Sequence, residues 1–204
     1  VYTKITEEDV SSLKGLDDFS RVGEYYMLAV EPAEQGYNAS YIYCDEETMY
    51  IARDQMKLLE GRLPQKEDEV VVSRYFLSNY AADAGIGEKV MLSSESFHGE
   101  YTVTGILEGY KEKEVNGTSI LLSKEALKGW SGYDPADYRA YVHFKNEQQM
   151  DETELTARSR EIAKEYQLEM PIMNLSYMKF YKQPVNVSML ALVAGIAVLV
   201  IIGG

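Results

Sequence analysis

"LLEGRLPQKEDEVVVSRYFLSNY", Leu58–Tyr80, decides how the chain is built. Gly61 and Pro64 mark a turn, because glycine reaches backbone conformations closed to other residues and proline fixes its own φ. A charged loop runs on to Glu69, within which Arg62 can pair with a carboxylate. Val70–Val72 are three β-branched residues in a row, a short buried strand, and Ser73 is placed to cap the helix that follows. Turn, strand and helix within 23 residues make a small α/β unit, and the next segments repeat the plan. "AGIGEKVMLSS" is a glycine turn into a strand. "EYTVTGILE" sets Tyr101, Val103 and Gly105 against Thr102, Thr104 and Ile106, the period-two pattern of a strand, and "SILLSKEALKGW" is again strand then short helix.

The flanking thirds carry longer elements. Thr6 and Asp9 form a helix-opening capping pair with Ile5 and Val10 as a staple, and Val10, Leu13, Leu16 and Phe19 extend an apolar stripe at helical spacing. "EYYMLAVEP" is a strand stopped at Pro32, and "YNASYIYCDEETMYIARD" is expected to be further strand with a turn at Asp45–Glu47. After the middle, "DYRAYVHFKN" alternates as a strand, Asp151–Glu154 opens a helix with Leu155, Ile162, Ala163 and Tyr166 on one face, Pro171 marks its end, and "IMNLS" is a last strand. The expectation is an α+β fold in two subdomains. Residues 1–60 and 135–182 form a split outer βα unit, and 61–134 a small inserted α/β unit.

Composition narrows function chiefly by exclusion. With 33 acidic and 20 basic residues the chain carries a formal charge of -13, which disfavours nucleic-acid phosphates and favours a basic partner. One cysteine, Cys44, rules out an internal disulfide and is expected to be a small buried side chain. His98 and His143 are far apart and without H-E-x-x-H or a Cys/His cluster, so no metal site or cofactor is expected. "GIGEKV" precedes a strand rather than opening a helix, which makes it a turn and not a phosphate loop. The acid pairs Glu7/Glu8, Glu46/Glu47 and Glu67/Glu69 lie in polar stretches, and no serine sits in G-x-S-x-G, so no catalytic residues are assigned and the chain is not expected to be an enzyme. Seventeen tyrosines are expected to cover solvent faces of strands. With the carboxylates they would also suit a cationic amphipathic peptide.

No charged residue occurs from Gln183 to Gly204, and "SMLALVAGIAVLVIIGG" closes the chain. Val187, Leu190, Leu192, Ile196, Leu199 and Ile201 belong to a run approaching the roughly 20 residues that cross a bilayer, with small residues all round it. Residues 183–204 are therefore expected to start a transmembrane helix. Tyr177 and Tyr181 would anchor at the interface, and the chain, with Val1 in place of an initiator Met, is read as part of a longer polypeptide.

In order and spacing, Gly61-Arg62-Leu63-Pro64, Glu69 ahead of Val70–Val72, Ile86-Gly87, and Val103, Gly105, Ile106 resemble the extracytoplasmic core domain of MacB-like and FtsX-like ABC-transporter permeases. The resemblance implies that these are fold-holding residues. It also implies a domain between the first and second membrane helices of a permease, outside the cell membrane, that works as a homodimer or pseudo-dimer. A cytoplasmic ATPase would act on it through the helices, for export, extraction or resistance. Antimicrobial peptide, antibiotic, or lipid or lipoprotein would be the substrate; the alternative is an FtsX-type domain that regulates a cell-wall hydrolase.

Overall fold

Five helices and nine strands occupy residues 1–109, 112 and 117–173, the part of the chain that the computed structural model describes. In chain order the strands are β1 (Tyr2–Ile5), β2 (Phe19–Pro32), β3 (Asn38–Cys44), β4 (Met56–Gly61), β5 (Glu69–Ser73), β6 (Lys89–Ser93), β7 (His98–Gly109), β8 (Gly117–Leu122) and β9 (Tyr138–Phe144). The helices are α1 (Glu7–Lys14), α2 (Glu46–Ile51), α3 (Arg74–Tyr80), α4 (Lys124–Gly129) and α5 (Glu152–Glu165). Each helix opens on a side chain that accepts an otherwise unpaired backbone N–H: Thr6 from Asp9, Asp45 from Thr48, Ser73 from Phe76, Ser123 from Ala126 and Asp151 from Glu154. At Thr6 and Asp151 the acid three residues on answers back to the cap N–H, completing capping boxes.

All nine strands join one sheet in the order β1-β9-β2-β3-β8-β5-β7-β4, with β6 also on β7. The fold is α+β. Only β3–β8 and β5–β7 run parallel among the described pairs. The strands of residues 1–60 and 135–182 meet those of 61–134 along β3–β8, from Asn38 opposite Gly117 to Ile42 opposite Leu121. β4, which ends at the expected boundary, lies beside β7.

Strand alternation sends side chains to two cores. One gathers Val70, Val72, Tyr26, Tyr41 and Ile120 beneath helix residues Val10, Leu13, Phe76, Leu127, Leu155 and Ile162. The opposite face collects Tyr25, Ile42, Val71, Leu107 and Leu121 under Met49 of α2. Burial of β5 on both faces explains its unbroken valines. The sheet curls until the β6–β7 hairpin touches the β2–β3 turn: Ser93 O accepts from Glu34 N at 2.9 Å, Tyr41 Oη and Ser94 Oγ share a 2.7 Å hydrogen bond, and the Phe97 ring lies 4.3 Å from that of Tyr41.

Four expectations need correction. Asp45–Glu47 is not a turn between strands but the capped start of α2, which bends away because Asp45 Oδ1 accepts from both Glu24 N and Thr48 N. The stripe Val10–Phe19 is not one helix: α1 stops at Lys14, Gly15 N and Leu16 N turn back onto Ser12 O and Leu13 O, and Phe19 opens β2. Many of the described strand tyrosines face the core rather than solvent. Tyr2, Tyr26, Tyr37, Tyr41 and Tyr138 are among the largest fully buried side chains, and Tyr2 and Tyr41 satisfy their hydroxyls on Ser159 O and Ser94 Oγ. Pro171 does not end the last helix, which stops at Glu165; Tyr166 N closes onto Ile162 O, and Gln167 takes a left-handed φ of +56°.

In the stretch read as a last strand, Ile172 exchanges two backbone hydrogen bonds with Val1, at 2.7 and 2.8 Å. Residues 174–176 of that stretch, Tyr177, Tyr181 and the apolar run 183–204 with Val187, Leu190, Leu192, Ile196, Leu199 and Ile201 lie outside the described residues. No described helix is long and apolar enough to cross a membrane.

Candidate functional site: a glycine seam on β7

β7 has 12 residues, more than either partner on its outer edge spans. β4 pairs with its far end, Gly61 opposite Gly105, and β6 with its near end, Lys89 opposite Thr102. Two chain segments must therefore leave one strand edge within a few residues of each other. Gly61 and Gly87 stand at the two exits with φ of +78° and +89°, the left-handed region that favours glycine. Backbone hydrogen bonds close the seam: Arg62 N donates to Thr104 O at 3.0 Å, Gly87 N to Val103 O at 2.8 Å, and Val103 N to Glu88 O at 2.8 Å. Gly105 is glycine for space, since a Cβ there would lie 2.7 Å from Arg62 O and 3.0 Å from Glu60 O. Val103 is fully buried beside it.

The loop leaving Gly61 is tied back by its own charges. Arg62 forks onto Glu69, Nη1 to Oε2 and Nη2 to Oε1 both at 2.8 Å, while Gln65 N and Lys66 N donate to the same carboxylate at 2.9 and 3.3 Å. Pro64 sits half-buried in that loop. Gly61, Arg62, Pro64, Glu69, Gly87, Val103 and Gly105 are thus gathered around one point of the sheet, and none offers a nucleophile or an unpaired acid.

The Arg62 hydrogen bonds and the two loop N–H groups lower the Glu69 pKa from its ordinary 4.5 to about 2. A carboxyl lowered in the folded state stabilises the fold above its ordinary pKa, and that stability is lost as pH falls from 4.5 towards 2. Glu69→Gln is expected to cost about 2 kcal/mol near neutrality and to flatten this acid slope. Urea unfolding at a series of pH values reads both; an unchanged slope would show that the fork does not hold Glu69.

A second polar cluster joins four elements. Lys124 Nζ of α4 lies 2.6 Å from both Glu24 Oε1 and Glu7 Oε1, Lys128 reaches Glu7 at 3.1 Å, and Lys14 reaches Asp45 at 3.3 Å. The Glu24 side chain is only 8% exposed. Gly23 beside it seats α2, because a Cβ there would run into the Thr48 backbone. Sequence reading missed both: the Lys124 partners are about 100 residues away, and nothing local marks Gly23 as a helix seat.

Near the seam, Tyr80–Ala84 and Gly87–Met91 border a groove of about 710 Å³, open to solvent. Among the described residues no group of His, Cys, Asp and Glu side chains is arranged to hold a metal ion. Burial pushes the Cys44 thiol up in pKa, away from the reactive thiolate. Glu112 is buried against Ser119 N at 2.8 Å, and its pKa is raised by burial.

The chain matches no family model and no curated protein sequence. Solved structures share its fold. The extracellular domain of the ABC-type transporter YknZ from Gram-positive bacteria aligns with a TM-score of 0.57 at 17% identity, over 83% of this chain and 89% of that one. The periplasmic region of MacB from Actinobacillus actinomycetemcomitans aligns at 0.53 and 14%, over 89% and 84%. A domain described as belonging to a permease from Porphyromonas gingivalis aligns at 0.51 and 14%, over 93% and 89%. The fold is that of extracytoplasmic permease domains.

Proposed function

We propose that this chain is a non-catalytic extracytoplasmic domain of an ABC-transporter permease, coupling ATP hydrolysis on the cytoplasmic side to events outside the membrane. The observation that carries the proposal is the alignment of 83–93% of the chain with domains of that kind. Residues 1–60 and 135–182 form the outer unit in this reading, 61–134 the insert held by the glycine seam, and 183–204 the start of the second membrane helix. A cytoplasmic ATPase is the implied partner, and two permease halves pair across the membrane as a homodimer or pseudo-dimer.

Sidedness is testable, with the unsubstituted polypeptide as the blank, because the single cysteine of this chain is buried. Glu95→Cys places a thiol at an exposed site in the turn between β6 and β7. In intact cells expressing the whole polypeptide, a membrane-impermeant maleimide is expected to label that thiol. Labelling only after lysis would place the domain inside and end the reading.

For substrate, the acid excess favours a cationic peptide over an uncharged antibiotic or lipid. Binding would rest on carboxylates rather than on a tyrosine surface, so it should weaken with salt. Titration showing no binding at low ionic strength removes that choice. Co-purification of an ATPase without a hydrolase supports transport, and capture of a cell-wall hydrolase moves the reading to regulation.

A further inference from the structure

We propose that the sheet face carrying α2, at the row where Arg139, Tyr25, Tyr141 and Met27 meet, docks a partner protein through a carboxylate set among apolar side chains. The inference does not depend on the transporter reading. Register puts these groups together: Arg139 of β9 stands opposite Tyr25 of β2, Tyr141 opposite Gly23, and Met27 opposite Ile42 of β3. The Arg139 guanidinium lies 5.6 Å from the Tyr25 ring centre, and the Tyr25 and Tyr141 rings are 5.4 Å apart.

Two polar groups in this row are poorly served. Arg139 is half-buried, yet among the described residues no carboxylate lies within ion-pair distance of it. The other described basic side chains that lack an ion pair, Lys57, Lys66, Arg74, Arg160 and Lys164, are all exposed, where water serves them. Arg21, on the same face, is neutralised by Glu47 at 2.7 Å and stacks on Tyr50 at 3.9 Å. Among the described residues the Tyr25 hydroxyl, on a residue 7% exposed, finds only Met27 Sδ at 3.9 Å, and a thioether is a weak acceptor. A carboxylate delivered to this row meets the guanidinium fork of Arg139. Met27, Tyr141, Leu58 and Leu63 are the partly buried apolar side chains of the same core, available to pack around it.

Charge identifies the occupant. In a chain of net charge -13 a guanidinium with no carboxylate partner among the described residues is a local positive point, which attracts acid and repels base. The chain's own closing segment 174–204 carries only Lys179 and Lys182 as charged side chains and supplies no acidic one. A second copy would bring the same large negative charge, so mutual repulsion disfavours it. A row of strand side chains gives flat area rather than an enclosing pocket, which suits a protein segment better than a small anion.

Panning the full chain against a random twelve-residue peptide display library, at low and high ionic strength, tests the proposal. Enriched peptides are expected to share an Asp or Glu flanked by apolar residues. Affinity of the synthetic peptide is expected to drop about tenfold or more in Arg139→Gln, to survive largely in Arg139→Lys, and to be unchanged in the control Arg160→Gln. Four results would each overturn it. Basic or acid-free peptides are enriched, or Arg139→Gln binds as the wild type does. Arg139→Gln lowers the melting temperature of the free chain by several degrees, which assigns the residue a partner within the chain. Sedimentation shows a dimer that Arg139→Gln dissolves, which assigns the face to a second copy.

Discussion

Gly61→Ala is expected to destabilise the domain by more than about 3 kcal/mol. Two penalties combine. A left-handed backbone costs an alanine roughly 1 to 2 kcal/mol, and at φ +78° that applies in full. The larger part is steric: the new methyl would press into the Thr104 carbonyl oxygen and lie 2.8 Å from Gly105 Cα, both backbone atoms of β7 that cannot rotate aside. Relief requires β4 to lift off β7, breaking the Arg62 N to Thr104 O bond with it. Gly87→Ala separates the two penalties, since Gly87 has φ +89° but nothing within 4 Å of its missing Cβ. It should lose only the conformational part. Urea midpoints at constant slope measure the pair, and equal losses would mean that the seam is not closely packed at Gly61.

That contrast also shows what local sequence carries. The turn at Gly61–Pro64, the strand at Val70–Val72 and the Ser73 cap were readable because each is fixed within a few residues: a breaker, a β-branched run, a hydroxyl ahead of a helix. That Arg62 pairs within its own loop was readable for the same reason, though which of the loop's carboxylates it takes was not; Glu69, seven residues on, is the one. That Gly61, Gly87, Val103 and Gly105 meet at one point was not, because it depends on β7 sharing one edge between two strands. α2 was misread because Met49-Tyr50-Ile51 resembles strand, while the decisive hydrogen bond runs from Glu24 N to Asp45, 21 residues apart. Tyrosine misled in another way: it pairs an apolar ring with one polar atom, so its place depends on whether the fold brings an acceptor inside. Tyr2 finds Ser159 O, 157 residues away. Arg139 gave no signal at all, since half-burial with no carboxylate beside it among the described residues is a property of the assembled face.

Lys124→Met is expected to cost about 3 kcal/mol, the other large effect. The substitution keeps most of the side chain's length and its packing, and removes the charge that lies 2.6 Å from both Glu7 and the buried Glu24. Glu24 is then left with Lys14 at 3.9 Å as its nearest cation, too far for a strong hydrogen bond. Removing one member of a buried pair costs more than the pair contributes, because the survivor keeps its desolvation. Glu24→Gln in the same chain should therefore recover much of the loss, and a double-mutant cycle on thermal or urea unfolding reads the coupling. Two losses that simply add would mean that the contact carries no energy. Acidity gives an independent check: the Lys124 hydrogen bond is the largest cause holding the Glu7 carboxyl below its ordinary value. That share of stability is present above the ordinary carboxylate range and is lost as pH falls, so the gap between wild type and Lys124→Met should narrow in acid. The pair also bears on the proposed mechanics. In the proposed reading Glu7 and Glu24 belong to the outer unit and Lys124 to the insert, so this contact, together with the β3–β8 pairing, would tie the two together. A hydrogen-exchange profile in which α1 and α4 lose protection together in Lys124→Met, with α5 unaffected, is the expected signature of that tie.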